Sequence, residues 1–432
     1  MHYEDFRNFN RTLMGIYDNN GDIFQSNIYA YPVGDEDVFN YRNLTPTIIT
    51  IYTGTVDFSQ NLLKGKFGSG YKLSIVNTDN TFDFYNVIND VQSLDSNLSN
   101  QFNYNETINA GYLNYQLAID KVDFQLGLRT EYTSSEGDLT SLISTNDNNV
   151  KRNYVDFFPS AGITYSYNEI NAFSFIYSSR IDRPNYQELN PFEFKLDELT
   201  YRKGNPFLNP QYTQKVELSH TYNYAITTSA GYSYTRDFIA QITDTTDGNK
   251  SFLTPRNLAS EEVISLDLSV SHELKKWWGI YANAGIKQQH YIADFGDGRK
   301  IDEAVISYNI YLQNTFKLSK GLSFELSGWY GSPSIWGGSF KTESTWSLDV
   351  GMQKKLMNDK FTLKLNVTDI FETSHWRSES TFKVISLTAN GGWETRQLRA
   401  TLLWRFGNTQ IKSVKQRTTD SESEIKRTGG GD

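Results

Sequence analysis

Cysteine is absent from the 432 residues. That removes thiol catalysis and cysteine-based zinc sites, and it fits a compartment where disulfides are not needed. Histidine is scarce: His2, His220, His272, His290 and His375 are scattered, none at metal-ligand spacing from a partner, and they read as wall or loop residues. No G-x-S-x-G or Walker motif occurs. The chain therefore reads as a non-enzyme with no cofactor and no metal. No basic stripe appears and the formal net charge is −9, which argues against a nucleic-acid partner. No stretch approaches the ~18 apolar residues of a membrane-spanning helix. The first ten residues hold no basic region followed by an apolar core, so no signal peptide is read there. The expectation is a mature product or part of a longer protein.

What the chain has is aromatic residues, 15% of the total with 28 Tyr and 27 Phe, and a rhythm. Ile264, Leu266, Leu268, Val270 and Leu274 alternate with Ser265, Asp267, Ser269, Ser271 and Glu273. Phe361, Leu363, Leu365 and Val367 alternate with Thr362, Lys364, Asn366 and Thr368. A period of two is a β-strand with one apolar and one polar face. The pattern predicts about 17 strands, many longer than the roughly 9–11 residues that cross a bilayer. Weak candidates lie near 9–18 and 22–31. Clearer ones include 226–243, 361–374 and 383–406.

Connections sort by parity. Lys64-Gly65, Ile119-Asp120, 168–170, Tyr224-Ala225, 275–277, 319–321 and 357–360 are brief; 135–156, 183–211, 244–261, 294–304 and 335–343 are long. Short turns at one rim and long loops at the other are expected of a transmembrane β-barrel, whereas a soluble sandwich or propeller has no reason to sort them. The last strand, through Leu398, Ala400, Leu402, Trp404 and Phe406, ends apolar and aromatic, as final strands of outer-membrane barrels do. That orientation makes short turns periplasmic and long loops extracellular. The expected domains are a barrel over 1–407 and a disordered, polar periplasmic tail over 408–432. Phe124, Leu126, Leu128, Trp346, Leu348, Val350 and Met352 are expected to face outer-membrane lipid. Gln125, Arg129, Glu131, Ser347, Asp349 and Gln353 are expected to face the lumen.

One segment is diagnostic. Arg180-Ile181-Asp182-Arg183-Pro184-Asn185-Tyr186-Gln187-Glu188-Leu189-Asn190-Pro191-Phe192 leads to Gly204-Asn205-Pro206-Phe207-Leu208-Asn209-Pro210. It resembles the long-loop motif of the TonB-dependent outer-membrane receptor barrels, the outer-membrane β-barrel family of Bacteroidetes type. Phe102–Glu106, Leu126–Glu131 and Leu365–Phe371 resemble strands of the same family. The resemblance implies an all-β fold, the C-terminal portion of a roughly 22-stranded barrel. It also implies a plug domain inside that barrel, contact with TonB, and energised uptake of a scarce nutrient such as an iron chelate, corrinoid or glycan. The chain departs from that pattern in having no plug, no TonB box and about five strands too few. Truncation or gene splitting is the expected reason.

The loop motif reads two ways, as a structural clamp or as a gate over ligand. Its residues are Arg180, Arg183, Pro184, Tyr186, Leu189, Asn190, Pro191, Gly204, Asn205, Pro206, Leu208 and Pro210. Repeated proline lowers the entropy of ordering such a loop. Arg180 and Arg183 have lumen carboxylates or anionic headgroups as candidate partners. Trp329, Tyr330 and Trp336 read either as an outer-rim ligand contact, stacking on a sugar, or as a membrane-interface girdle. Acidic Gly-containing segments at 18–22, 244–249 and 294–298 read as turns, with calcium as the alternative. Rival functions are a passive porin or adhesin, a scaffold barrel completed by a partner chain, and a soluble β-protein.

Overall fold

A computed structural model describes residues 27–30, 39–88, 91–141, 149–195, 200–245, 251–257, 260–294, 300–358, 360–382, 385–406 and 421–428. The acidic segment 18–22, most of 244–249 and 294–298, His2 and the candidate strand near 9–18 lie outside these residues.

Alternation of apolar and polar side chains does what it predicts. The described residues form an 18-stranded antiparallel sheet and two four-stranded ones. The large sheet is a meander in which each strand pairs with the next wall strand in sequence. Thr47–Leu62 pairs with Gly65–Ile88, then Asn100–Ile119, Val122–Ser141, Asn149–Asn168 and Asn171–Asp182 follow. The run continues through Gln211–Tyr222, Ile226–Arg236, Ser260–Lys275, Trp278–Asp294, Lys300–Lys317, Leu322–Gly331, Thr345–Leu356, Phe361–Thr368 and Gln397–Trp404. Three short segments, Asn27–Ala30, Phe39–Leu44 and Val91–Leu94, lengthen the sheet beside residues 83–88.

The brief connections all fall at one rim and are bonded to one another. The Ser166 amide donates to the Lys121 carbonyl, Asn223 to Ile170, Ser271 to Ala225, Lys317 to Trp277 and Arg405 to Lys360, at 2.6–2.8 Å. Leu63-Lys64, Asn223-Tyr224 and Met357-Asn358 have positive φ at both positions. That geometry matches the right-handed twist of flanking strands in two-residue hairpins.

At the other rim the structure differs from the expected loops. Most of 135–156 and 294–304 is strand: Glu136 faces Lys151 across the ladder, with their side chains 2.6 Å apart, and Asp294 faces Lys300. Two antiparallel segments that rise beyond a membrane still satisfy each other's backbone groups by pairing. The expected strand 226–243 breaks at Asp237, whose φ is +55. Beyond the break, Ile239–Thr245 joins Glu193–Lys195, Thr200–Lys203 and Ser251–Asn257 in one small sheet. The expected strand 383–406 is two strands, and Ile385–Gly392 belongs to the other small sheet with Ser334–Trp336, Phe340–Thr342 and His375–Phe382. The two small sheets touch where the Gln241 amide donates to the Gly337 carbonyl and the Ser339 hydroxyl to the Gln241 carbonyl.

The two faces of the large sheet are as expected. Leu126, Leu128, Trp346 and Val350 are exposed outward, whereas Glu131 and Ser347 are buried on the inner face. One inner row runs Ile51, Val76, Glu106, Ser135, Arg152 through directly paired positions. A second correction concerns the tail. Residues 421–428 of the expected disordered segment carry a short helix, Glu422–Lys426, packed on this inner face. Residues 408–420 and 429–432 lie outside the description. Composition argued for disorder, but Ile425, Glu424 and Arg427 find complementary partners on the wall.

Candidate functional site

The segment 183–210 leaves the strand Asn171–Asp182 at Pro184, which has no amide proton for a ladder and disfavours a helical residue before it. A single helical turn, Tyr186–Leu189, follows. The Glu188 carboxylate accepts from the Asn185 amide at 2.9 Å, satisfying a donor at the turn's start. The two ends of the loop are then zipped together. The Asn205 amide donates to the Glu188 carbonyl at 2.6 Å, and a Cβ at Gly204 would lie 2.0 Å from the Asn190 carbonyl oxygen. Glycine alone permits that approach. The Asn190 and Asn205 side chains accept from the Phe192 and Phe207 amides, fixing each bend locally.

The loop folds inward. Tyr186, Leu189, Phe192 and Leu208 are buried against Ile51, Val76, Phe82, Phe84, Phe102 and Tyr104 of the wall. Asn190 is buried as well, whereas Phe207 is half exposed. Two arginines pin it electrostatically. Arg183 donates to the Glu131 carboxylate and the Thr133 hydroxyl, both at 2.8 Å, and to the Tyr154 hydroxyl at 3.2 Å. Arg152 donates to the Leu208 and Pro206 carbonyls at 2.6 and 3.0 Å. Of the two candidate arginines, Arg183 meets a carboxylate of the inner face. Among the described residues Arg180 meets its own neighbour Asp182, at 3.3 Å, and stays exposed. Tyr212, beside this cluster, donates to the Asp156 carboxylate at 3.1 Å and stacks under Arg236.

The aromatic trio is not one surface. Trp329 and Tyr330 are successive residues of the strand Leu322–Gly331 and so point to opposite faces. Tyr330 stacks on Tyr308 at 5.7 Å, near Trp346 and its neighbour Phe371, on the outward face. Trp336 sits in a small sheet against Phe340 at 5.8 Å. A second outward aromatic cluster, Trp277, Trp278 and Phe316, lies at the short-turn rim. The two aromatic clusters lie at opposite ends of a stretch with exposed Ile310 and Leu312.

Among the described residues no three His, Asp or Glu side chains gather as metal ligands. The His220 Nε2 donates to the Asn171 side-chain oxygen and the ring stacks on Phe173, and His290 pairs with Asp302, as wall and rim residues do.

Sequence reading missed Arg152, Tyr154 and Glu106 as members of this cluster. Glu106 carried a usable signal: it is a carboxylate on a stripe otherwise made of Phe102, Tyr104 and Ile108. Arg152 carried none, because its acceptor carbonyls lie more than fifty residues away in sequence.

Comparison with curated protein sequences gives no match. Solved structures with the same fold include the siderophore receptor PiuA from Acinetobacter baumannii, at 14% identity and TM-score 0.58, covering 84% of this chain and 57% of that one. The ferric yersiniabactin uptake receptor FyuA from Yersinia pestis matches at 12% identity and TM-score 0.56, covering 82% and 54%. The unliganded ferric citrate transporter FecA matches at 13% identity and TM-score 0.57, covering 84% and 56%. The chain thus spans little more than half the length of these proteins. The profile of the outer membrane protein beta-barrel family matches residues 11–404. With that match over nearly its whole length, the chain belongs to the outer membrane protein beta-barrel family, a family of membrane barrels and not of enzymes.

Proposed function

We propose that this chain is the ligand-handling wall of a TonB-dependent receptor that takes up a small nutrient across the outer membrane: an iron chelate, a corrinoid or a glycan. The observation that carries the reading is the pair of arms 183–192 and 204–210, folded inward and anchored to the wall by Arg183 and Arg152. Fold likeness to siderophore and ferric citrate receptors supports the same class. In this reading short turns face the periplasm and long connections the outside. The barrel spans 1–407, and the motif residues, from Arg180 to Pro210, act as a clamp that shapes the lumen. Trp329, which faces inward, is the member of the aromatic trio placed to meet ligand. Lipid, a plug domain, TonB and a small ligand are the partners.

A second reading concerns completion. Among the described residues, Gln397–Trp404 has a ladder partner on one side only and both of its faces are exposed. A free strand edge in lipid leaves backbone groups unsatisfied at several kcal/mol each. This reading is a scaffold barrel whose wall is closed at that edge by a partner chain.

The test is nutrient-limited growth of cells with and without the gene, on ferric chelates, corrinoids and oligosaccharides in turn. Loss of uptake of one class, together with abolition of that uptake by a protonophore, is expected. Uptake that survives the protonophore refutes energised transport and favours a porin.

A further inference from the structure

We infer that the inner wall and the inward loop together form a docking site for a short helix bearing an acid and an arginine three residues apart, and that residues 421–428 occupy it as an internal latch. The inference rests on contacts in the barrel interior and not on the identity of any transported ligand.

Glu424 and Arg427 are three apart and share one face of the helical turn. Glu424 meets Lys72, with Nζ to Oε1 3.0 Å. Arg427 meets Glu106 through both terminal nitrogens, with side chains only 11% and 2% exposed. Lys72 and Glu106 stand on adjacent strands, since Val76, four residues along, pairs with Glu106. The wall thus presents a cation and an anion in order, and the helix presents the opposite pair. Reversing the helix would set like charges together, so the direction of docking is specified.

Arg427 also joins the wall to the loop. Its Nε donates to the Pro184 carbonyl at 3.0 Å, its guanidinium lies 4.3 Å from the Tyr186 ring centroid, and its carbonyl accepts from the Tyr186 amide at 3.1 Å. Ile425 packs into the cluster that buries Tyr186 and Leu189. Glu106 accepts from the Tyr104 hydroxyl, faces Ser135 across the ladder and shares its cavity with Arg152 and Arg183, and among the described residues Arg427 is the cation in direct contact with it. A carboxylate so buried is costly without a paired counter-charge. The site is therefore incomplete until the segment docks, and docking fixes the loop.

Length permits the path. Phe406 lies at the short-turn rim, where the Arg405 amide bonds to Lys360. The fifteen steps from there to Ser421 reach about 50 Å when extended. From Ile119 at the same rim to Glu106 is thirteen residues, about 43 Å along the strand.

The chain has no native thiol, so Lys72→Cys with Glu424→Cys creates a unique pair. The full-length protein, folded in detergent, is treated with a short dithiol-reactive crosslinker. It is then cut by trypsin between Phe406 and Ser421, at Lys412, Lys415 and Arg417. The expected result is a tail fragment that stays attached to the barrel, with Arg427→Glu lowering its yield about tenfold or more. The swap Glu106→Arg with Arg427→Glu should restore it. A correctly folded barrel that gives no crosslink, or one whose yield ignores Arg427→Glu, overturns the inference. Should the Glu106→Arg wall fail to fold, Arg427→Glu, which alters only the tail, still decides.

Discussion

Replacing Arg183 by methionine keeps most of its aliphatic volume and deletes its charge. In the folded protein the guanidinium is 10% exposed and sits 2.8 Å from the Glu131 carboxylate, itself 8% exposed. Breaking a buried pair by removing one partner typically costs about 3–5 kcal/mol, because the other charge is left stranded. Here Arg129 remains 3.0 Å from the second Glu131 oxygen, so the lower end applies, about 3 kcal/mol. That corresponds to about two orders of magnitude in the ratio of closed to opened loop. Urea unfolding of the detergent-folded chain gives the global cost, and tryptic cleavage at Arg202 and Lys203 within the loop gives the local one. Adding Glu131→Gln to Arg183→Met removes the stranded carboxylate and should recover about half of the loss, so the two substitutions are non-additive. A loss below about 0.5 kcal/mol with simple additivity would refute the view that this pair holds the loop to the wall.

Two further outcomes are expected. Leu126→Arg places a charge on the outward face and should cost about 2–4 kcal/mol of folding free energy into lipid vesicles, whereas Gln125→Arg, one residue away on the inner face, should be tolerated; equal costs would contradict the assignment of faces. Asp369, in the turn after Phe361–Thr368, is pushed up by burial but held down more strongly by donation from the Thr395 hydroxyl, the Thr373 and Ser374 amides and the Thr373 hydroxyl, to about 2. Its folded value lies below the unfolded one, so the stabilisation is present above the unfolded carboxylate value and is lost as pH falls through about 2. The stability gap between the native chain and Asp369→Asn should therefore shrink between pH 5 and pH 2, and a gap that holds constant over that range would be inconsistent with an ionised, hydrogen-bonded Asp369.

The strands and their faces were legible because the information is local. Ile264 to Leu274 and Phe361 to Thr368 state their own period, and the solvent on each side enforces it. Brief turns at Lys64-Gly65 or Tyr224-Ala225 were equally plain, since a two-residue connection leaves little room for anything but a hairpin. The loop motif could be located from Pro184, Gly204 and the paired asparagines, but whether it clamps or gates was open. Its inward direction depends on Arg183 meeting Glu131 and on Arg152 meeting the Leu208 carbonyl, contacts between distant parts of the chain.

The sequence by itself determined a meander of amphipathic strands with short turns at one rim, because alternation and turn length are read within a few residues. Only the tertiary structure decided that 383–406 divides between the wall and a small sheet, and that Trp329 and Tyr330 serve opposite faces in different neighbourhoods. It alone decided that a polar C-terminal segment lies against Glu106. Each of those depends on which strands lie side by side, and a buried charge declares its partner only when the register has brought the two together.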